Sequence, residues 1–210
     1  MFFKKKSYIV PNGFPKFRGF RNIKKEYDFI YVGRIDKRKC VDLIIKASKI
    51  LKNKNFEFSI LIVGDGIWKK DIEKLIKKYN MKNNIKLVGY VFHNRVLEFI
   101  SKSKFLILPS SYESDPLVIK ESLSLGVPVI SSDISAHIEK IKNEFNGFLF
   151  KNLDYKSLAN VMEKALNLSN EKYEKMSKNA KESIINRSWN KVAKKYVKFF
   201  ESLTNDYKNG

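Results

Sequence analysis

The strongest constraint on this chain is a repeated unit. A short apolar run breaks off at a glycine, proline or serine, and an amphipathic stretch follows. Phe29 to Val32 stops at Gly33, Phe58 to Val63 at Gly64, Ile85 to Val88 at Gly89, and Lys104 to Leu108 at Pro109. Val127 to Ser131 and Gly147 to Phe150 complete the series. Runs this short and this apolar read as strands buried on both faces. Between them, Val41 to Leu51 is apolar at 41, 44, 45, 47 and 51, which is helical spacing. Trp68 to Tyr79, Asn94 to Ser101, Leu117 to Leu125 and Ile134 to Ile141 also read as helices. After Phe150 the period is helical throughout, over Tyr155 to Leu166, Glu171 to Ile185 and Asn190 to Leu203, with Asp154, Asn170 and Ser188 as N-cap candidates. Strands alternating with helices predict an α/β fold. The expectation is a single Rossmann-like domain, with a parallel sheet of about six strands and helices on both faces. Residues 1–28 read as an irregular lead-in, 29–203 as the domain and 204–210 as a tail.

Composition limits the rest. With 43% hydrophobic residues in a chain of 210, a sizeable core is expected and bulk disorder is excluded. One cysteine, Cys40, allows no intrachain disulfide, and two histidines, His93 and His137, give no histidine-rich metal site. No apolar run reaches the roughly eighteen residues of a membrane-spanning helix. MFFKKKSYIV lacks the order of a secretion signal, so a cytoplasmic protein is expected. The net charge of +20 comes from 36 lysines and only six arginines, and is densest over residues 4–39. It suits anionic partners such as a lipid surface or a nucleotide, or simply solubilises the chain. Without clustered arginine and aromatic platforms, nucleic acid is not an expected partner.

Ligands of such sheets sit beyond the carboxyl ends of the strands, where the chemically distinctive residues of this chain fall. Arg34 follows the first strand and Lys39 stands at the mouth of the first helix, so the two could hold a diphosphate. The competing reading makes them part of a solvated run, Lys37-Arg38-Lys39. Glu113 and Glu121 lie eight apart, in the loop before a helix and within it. They read as ligand carboxylates or as ordinary surface acids. Ser114-Asp115-Pro116-Leu117 leads into a helix start whose free amides could meet a phosphate. Gly64-Asp65-Gly66 is a weak dinucleotide loop, since Lys69 stands where a third glycine belongs. His93 and His137 read as surface or capping histidines, Cys40 as a packing residue at a helix start, and Trp68 and Trp189 as packing.

Taken together, these segments resemble the C-terminal, donor-binding half of retaining GT-B glycosyltransferases of family 4, or group 1. The carriers, in the family's order, are FIYVGRIDKRK (29–39), ILIVGDG (60–66), IKLVGYV (85–91), LPSSYESDPLVIKESLSLGVPVISSD (108–133) with its Glu-x7-Glu pair, and Glu139 with Asn146-Gly147. The resemblance implies that Arg34 and Lys39 neutralise the donor diphosphate and that Glu121 binds the ribose. It places Glu113 beside the transferred sugar and its departing phosphate. The backbone of Asp115, Pro116, Leu117 and Val118 would meet the sugar and β-phosphate, and Gly89, Tyr90 and Val91 would lie against the base. It implies a UDP- or GDP-type nucleotide sugar, no metal and no other cofactor, transfer with retention, and a role in glycan or polysaccharide synthesis.

There are departures. Cys40 stands where a glycine commonly follows the lysine, and Asp115-Pro116 replace a common Phe-Gly. His137 occupies a variable position and inherits no role. The family enzyme has a second, acceptor-binding domain, to which YIVPNG (8–13) resembles the connection and onto which the last helix resembles the one that crosses back. Three readings stand open at this point. The chain is the donor half of an enzyme whose N-terminal acceptor half is a separate polypeptide, working in the cytoplasm or peripherally at the inner membrane face. It is a truncated fragment that binds nucleotide sugar without transfer. Or it is a non-enzymatic anion- or nucleic-acid-binding module.

Overall fold

The computed structural model describes Gly13, residues 23–184 and residues 189–208. Six strands, β1 (Tyr27–Val32), β2 (Ile60–Val63), β3 (Ile85–Gly89), β4 (Ser103–Leu108), β5 (Val129–Ser132) and β6 (Gly147–Phe150), form one parallel sheet in the order β3-β2-β1-β4-β5-β6. The crossover helices are α1 (Val41–Asn53), α2 (Lys69–Lys78), α3 (His93–Ser101), α4 (Leu117–Ser124) and α5 (Ser135–Ile138). Helices α6 (Tyr155–Leu166), α7 (Asn170–Ile184) and α8 (Trp189–Lys208) follow. Every residue of β2 and β5 is buried, as a sheet covered on both faces requires. Helix α1 packs on α2 and α6, and α4 on α3 and α7. Phe105 is an aromatic hub of the core, with Phe29, Phe148 and Tyr173 ring centroids 5.6–6.3 Å away.

The strand order places the topological switch between β1 and β4, whose following loops must part to opposite faces and leave a crevice. Two glycines let backbones close up, one at each edge of the sheet. A Cβ on Gly64 would overlap the Gly33 carbonyl, and Gly64 sits at φ +145°, so the turns after β1 and β2 touch main chain to main chain. A Cβ on Gly147 would overlap the carbonyl of Val129, so β6 can lie on β5 only with glycine there.

Some boundaries move. The expected helix over 134–141 shrinks to α5, a single turn. β5 starts at Val129, because Pro128 has no N–H for the ladder; its carbonyl still accepts from the Leu106 amide. Asp154 caps α6 as expected. Asn170 lies inside α7 instead of capping it; Ser169 Oγ accepts from the Lys172 amide. Helix α8 continues to Lys208, past the expected end at Leu203. Ser188 and all of YIVPNG except Gly13 lie outside the described residues.

Candidate functional site

Helices that follow strands start at the carboxyl edge of the sheet, and their first amides point into solvent there. The N-terminal residues before α1, α2, α3, α4 and α5 (Cys40, Trp68, Phe92, Pro116 and Ile134) provide no side-chain cap. By contrast, Asp154 caps α6. The crevice is therefore rimmed by helix starts without side-chain caps, an arrangement suited to anions.

At the switch point, the β1 and β4 loops are joined by an ion pair. Asp36 accepts from the Arg38 and Lys39 amides and so caps a 3-10 turn, Lys37–Lys39, that the sequence did not reveal. That turn sends Lys37 and Arg38 to solvent and Lys39 inward. Lys39 Nζ donates to Glu113 Oε1 at 2.5 Å, and the same oxygen accepts from Ser110 Oγ at 2.8 Å. The Ser111 amide donates to the Arg38 carbonyl at 2.8 Å, closing the seam. Lys39 thus parts company with its two neighbours, and the solvated-run reading fails for it. Arg34 is different: its side chain is 71% exposed and rests loosely on Asp36 at 3.6 Å. Its backbone is fixed from below, where buried Tyr31 donates its hydroxyl to the Arg34 carbonyl at 2.6 Å. Burial pushes that phenol above its ordinary range, so it remains a donor.

Glu121, on α4, turns toward the β3–α3 loop. His93 Nε2, at the first position of α3, lies 3.8 Å from Glu121 Oε1. Burial raises the Glu121 pKa above the usual carboxylate value, and His93 opposes the shift. Gly89, Tyr90 and Val91 lead directly into this corner, and the Gly89 carbonyl accepts from the Gly64 amide at 2.8 Å. Tyr90 and Phe92 are largely exposed, their rings in edge contact at 6.1 Å. The cleft therefore has a cationic end at β1/β4 and a carboxylate-and-aromatic end at β3/α3, with α4 contributing to both.

The loop before α4 holds what sequence reasoning missed. Asp115 Oδ2 pairs with Lys120 Nζ at 2.5 Å, and Oδ1 pairs with Lys140 Nζ at 3.1 Å. Lys120 lies on the inner stripe of α4 beside Ile119 and Leu123, all three fully buried or nearly so. A lysine on an otherwise apolar stripe was the available signal. Burial works to raise the Asp115 pKa, but hydrogen bonds from the two ammonium groups outweigh it, and the net shift is downward. His137 is wholly buried and not a surface residue. Its Nδ1 lies 3.0 Å from the Ser132 carbonyl, and burial lowers its pKa. Asn146 is structural: its side chain accepts from the Lys142 amide and donates to the Lys140 carbonyl, holding the turn that presents Lys140. Cys40 packs at the start of α1 as expected, but at φ +51°, a left-handed conformation that explains why glycine suits this position. Trp68 packs against the core, while the Trp189 side chain lies outside the described residues.

A cavity of about 910 Å³ lies at the opposite edge of the sheet, among Phe145, Phe148, the end of α6 and α7, and none of the expected site residues lines it. Among the described residues no three His, Cys, Asp or Glu side chains gather as a metal site, and no helix is long and apolar enough to cross a membrane.

Comparison with known proteins places this geometry. Residues 14–183 match the family of glycosyl transferases group 1. The Alpha-D-kanosaminyltransferase of Streptomyces kanamyceticus is 28% identical over 151 residues, covering 72% of this chain and 39% of that protein. The Escherichia coli UDP-Gal:alpha-D-GlcNAc-diphosphoundecaprenol alpha-1,3-galactosyltransferase is 32% identical over 171 residues, covering 78% of this chain and 42% of that protein. The crystal structure of a mutant of S. aureus TarM, in complex with fondaparinux, alpha-GlcNAc-glycerol and UDP, superposes with a TM-score of 0.84 at 22% identity, over 95% of this chain and 40% of that one. The chain thus spans about two-fifths of the length of these relatives, and its six-stranded parallel sheet matches their GT-B Rossmann-like half. This chain belongs to the group 1 family of glycosyltransferases.

Proposed function

We propose that this chain is the donor-binding domain of a retaining glycosyltransferase that takes a sugar from a nucleoside diphosphate for glycan or polysaccharide synthesis. The observation that carries the reading is the Lys39–Glu113 pair across the switch point, in front of the uncapped start of α4. A diphosphate placed there would meet Lys39, the exposed Arg34 and the amides of Leu117 and Val118. Glu121 would accept from the ribose hydroxyls, and Gly89 to Val91 would lie against the base. UDP is the favoured nucleotide, since UDP is in the TarM complex and UDP-Gal in the name of the E. coli relative.

In such a transfer an acceptor hydroxyl oxygen bonds to the anomeric carbon as the bond from that carbon to the β-phosphate oxygen breaks; the electron pair stays on the diphosphate, which takes up the acceptor's proton. The work of this domain is to stabilise that growing charge. Two cations and a helix start perform it without a metal ion. Lys39 neutralises Glu113 until a phosphate arrives to share the cation, which leaves the Glu113 carboxylate beside the sugar. Acceptor recognition falls to a second domain, and the basic surface suits an acceptor displayed at an anionic membrane face.

Calorimetric titration with UDP and GDP, with and without EDTA, tests the reading. Saturable binding unaffected by the chelator is expected. A folded chain that binds neither nucleotide, or binds only with added divalent metal, overturns it.

A further inference from the structure

Thirty-six lysines make a basic surface unremarkable in this chain, but Lys120 and Lys140 carry their side chains inward. The Lys120 side chain is 0% exposed and that of Lys140 5%. Both end on Asp115, which is 26% exposed and borders the cleft. Burying a lysine is expensive, and a buried ion pair seldom repays in stability what apolar side chains of the same volume would give. The arrangement is better explained by the geometry it imposes. Each lysine takes a different oxygen of the carboxylate, so Asp115 cannot rotate. Lys120 reaches back from the first turn of α4, while Lys140 arrives from beyond α5 and also donates to the Ala136 carbonyl at 3.0 Å. The turns after β4 and β5 are thereby tied through one carboxylate. Immediately after it stands Pro116, which has no N–H, so Leu117 and Val118 offer the first free amides of α4.

We propose that Lys120 and Lys140 are positioning residues for the donor: by gripping both oxygens of Asp115 they fix the turn before Pro116 and aim the uncapped start of α4 at the diphosphate. This rests on the donor reading above. The direction differs from a sugar-binding role for the Asp115 side chain, whose two oxygens are already engaged from within.

The test compares the unaltered chain with Lys140→Met, Lys140→Arg and an apolar replacement of the whole cluster, Asp115→Phe with Lys120→Leu and Lys140→Met. The apolar replacement removes all three charges together, so it leaves none of the three unpaired and keeps the test open where a single substitution fails to fold. Melting temperature is measured beside affinity for UDP and, by ligand-observed NMR, for uridine. The apolar replacement is expected to melt at or above the unaltered chain, to lose at least tenfold in UDP affinity, and to hold uridine within twofold. Lys140→Met is expected to show the same split, and Lys140→Arg to recover most of the loss. An apolar replacement that binds UDP like the unaltered chain overturns the proposal while leaving the donor reading intact, and so does an equal loss for UDP and uridine. An unaltered chain that binds no nucleoside diphosphate removes both.

Discussion

Glu121 shows how a binding residue is held at a cost. Its carboxyl is half-buried with a distant imidazole as its nearest cation among the described residues, and its pKa is raised. A carboxyl with a raised folded pKa favours the fold fully below its unfolded value, near 4.5, and that contribution is lost as pH rises through the folded value. At neutral pH the cleft therefore carries an ill-solvated charge. Glu121→Gln keeps the shape and removes the ionisation. It is expected to raise the melting temperature at pH 7 and to flatten the acid-side gain, while weakening UDP by about 1–3 kcal/mol through loss of charged hydrogen bonds. Thermal melts from pH 4 to 8 and a UDP titration check both halves, and unchanged UDP affinity would remove Glu121 from the ribose. Arg34 makes the opposite prediction. Exposed and loosely paired, it contributes nothing to the core, so Arg34→Ala should leave the melt unchanged. It should weaken UDP about tenfold while sparing uridine, as loss of one charge-assisted contact implies. Equal losses for the two ligands would place Arg34 elsewhere.

Among the elements, close approach of the main chain sets the tolerances. Gly147 lets β6 lie against β5, and a methyl group there meets the Val129 carbonyl, which is backbone and cannot swing aside. Gly147→Ala should cost about 1–3 kcal/mol, the usual range for overpacking a tight site. Denaturant unfolding measures it, and a neutral result would mean that β6 is not seated as described. These elements were legible in the sequence because parallel strands buried on both faces leave uninterrupted apolar runs, and because the turns after them demand glycine. Asp154 was legible as a cap because its carboxylate acts on amides two and three residues away. Asn170 misled because Ser169 stands beside it with the same chemistry. The Asp115 cluster was not legible. Lys140 is twenty-five residues from Asp115, and no local pattern shows that a long aliphatic stem will carry its ammonium inward. Cys40 was half legible: its place at the helix start was read, but its left-handed backbone belongs to the 3-10 turn before it, which no periodicity marks.

For the molecule as a whole, the order β3-β2-β1-β4-β5-β6 turns scattered residues into one surface. The strand order rests on non-local pairing, which sequence periodicity does not report. It is seen in the register of the sheet, where the sequence had led only to an expectation of about six parallel strands. A consequence follows for the chain in solution. If the carboxyl edge is the ligand-binding face, nucleotide must protect that edge and spare the rest. At one hundred times its dissociation constant, UDP should stabilise the fold by about 2.7 kcal/mol, whatever the dissociation constant is. For a domain of this size that corresponds to a rise of roughly 5–10 °C in melting temperature. Amide hydrogen exchange should slow around Gly33 to Cys40, Gly89 to Val91 and the first turn of α4. The cavity between α6 and α7 lies at the far edge and should show no change beyond the global one. Protection centred there would mean that this hollow, and not the rim of helix starts, is where this chain meets its nucleotide.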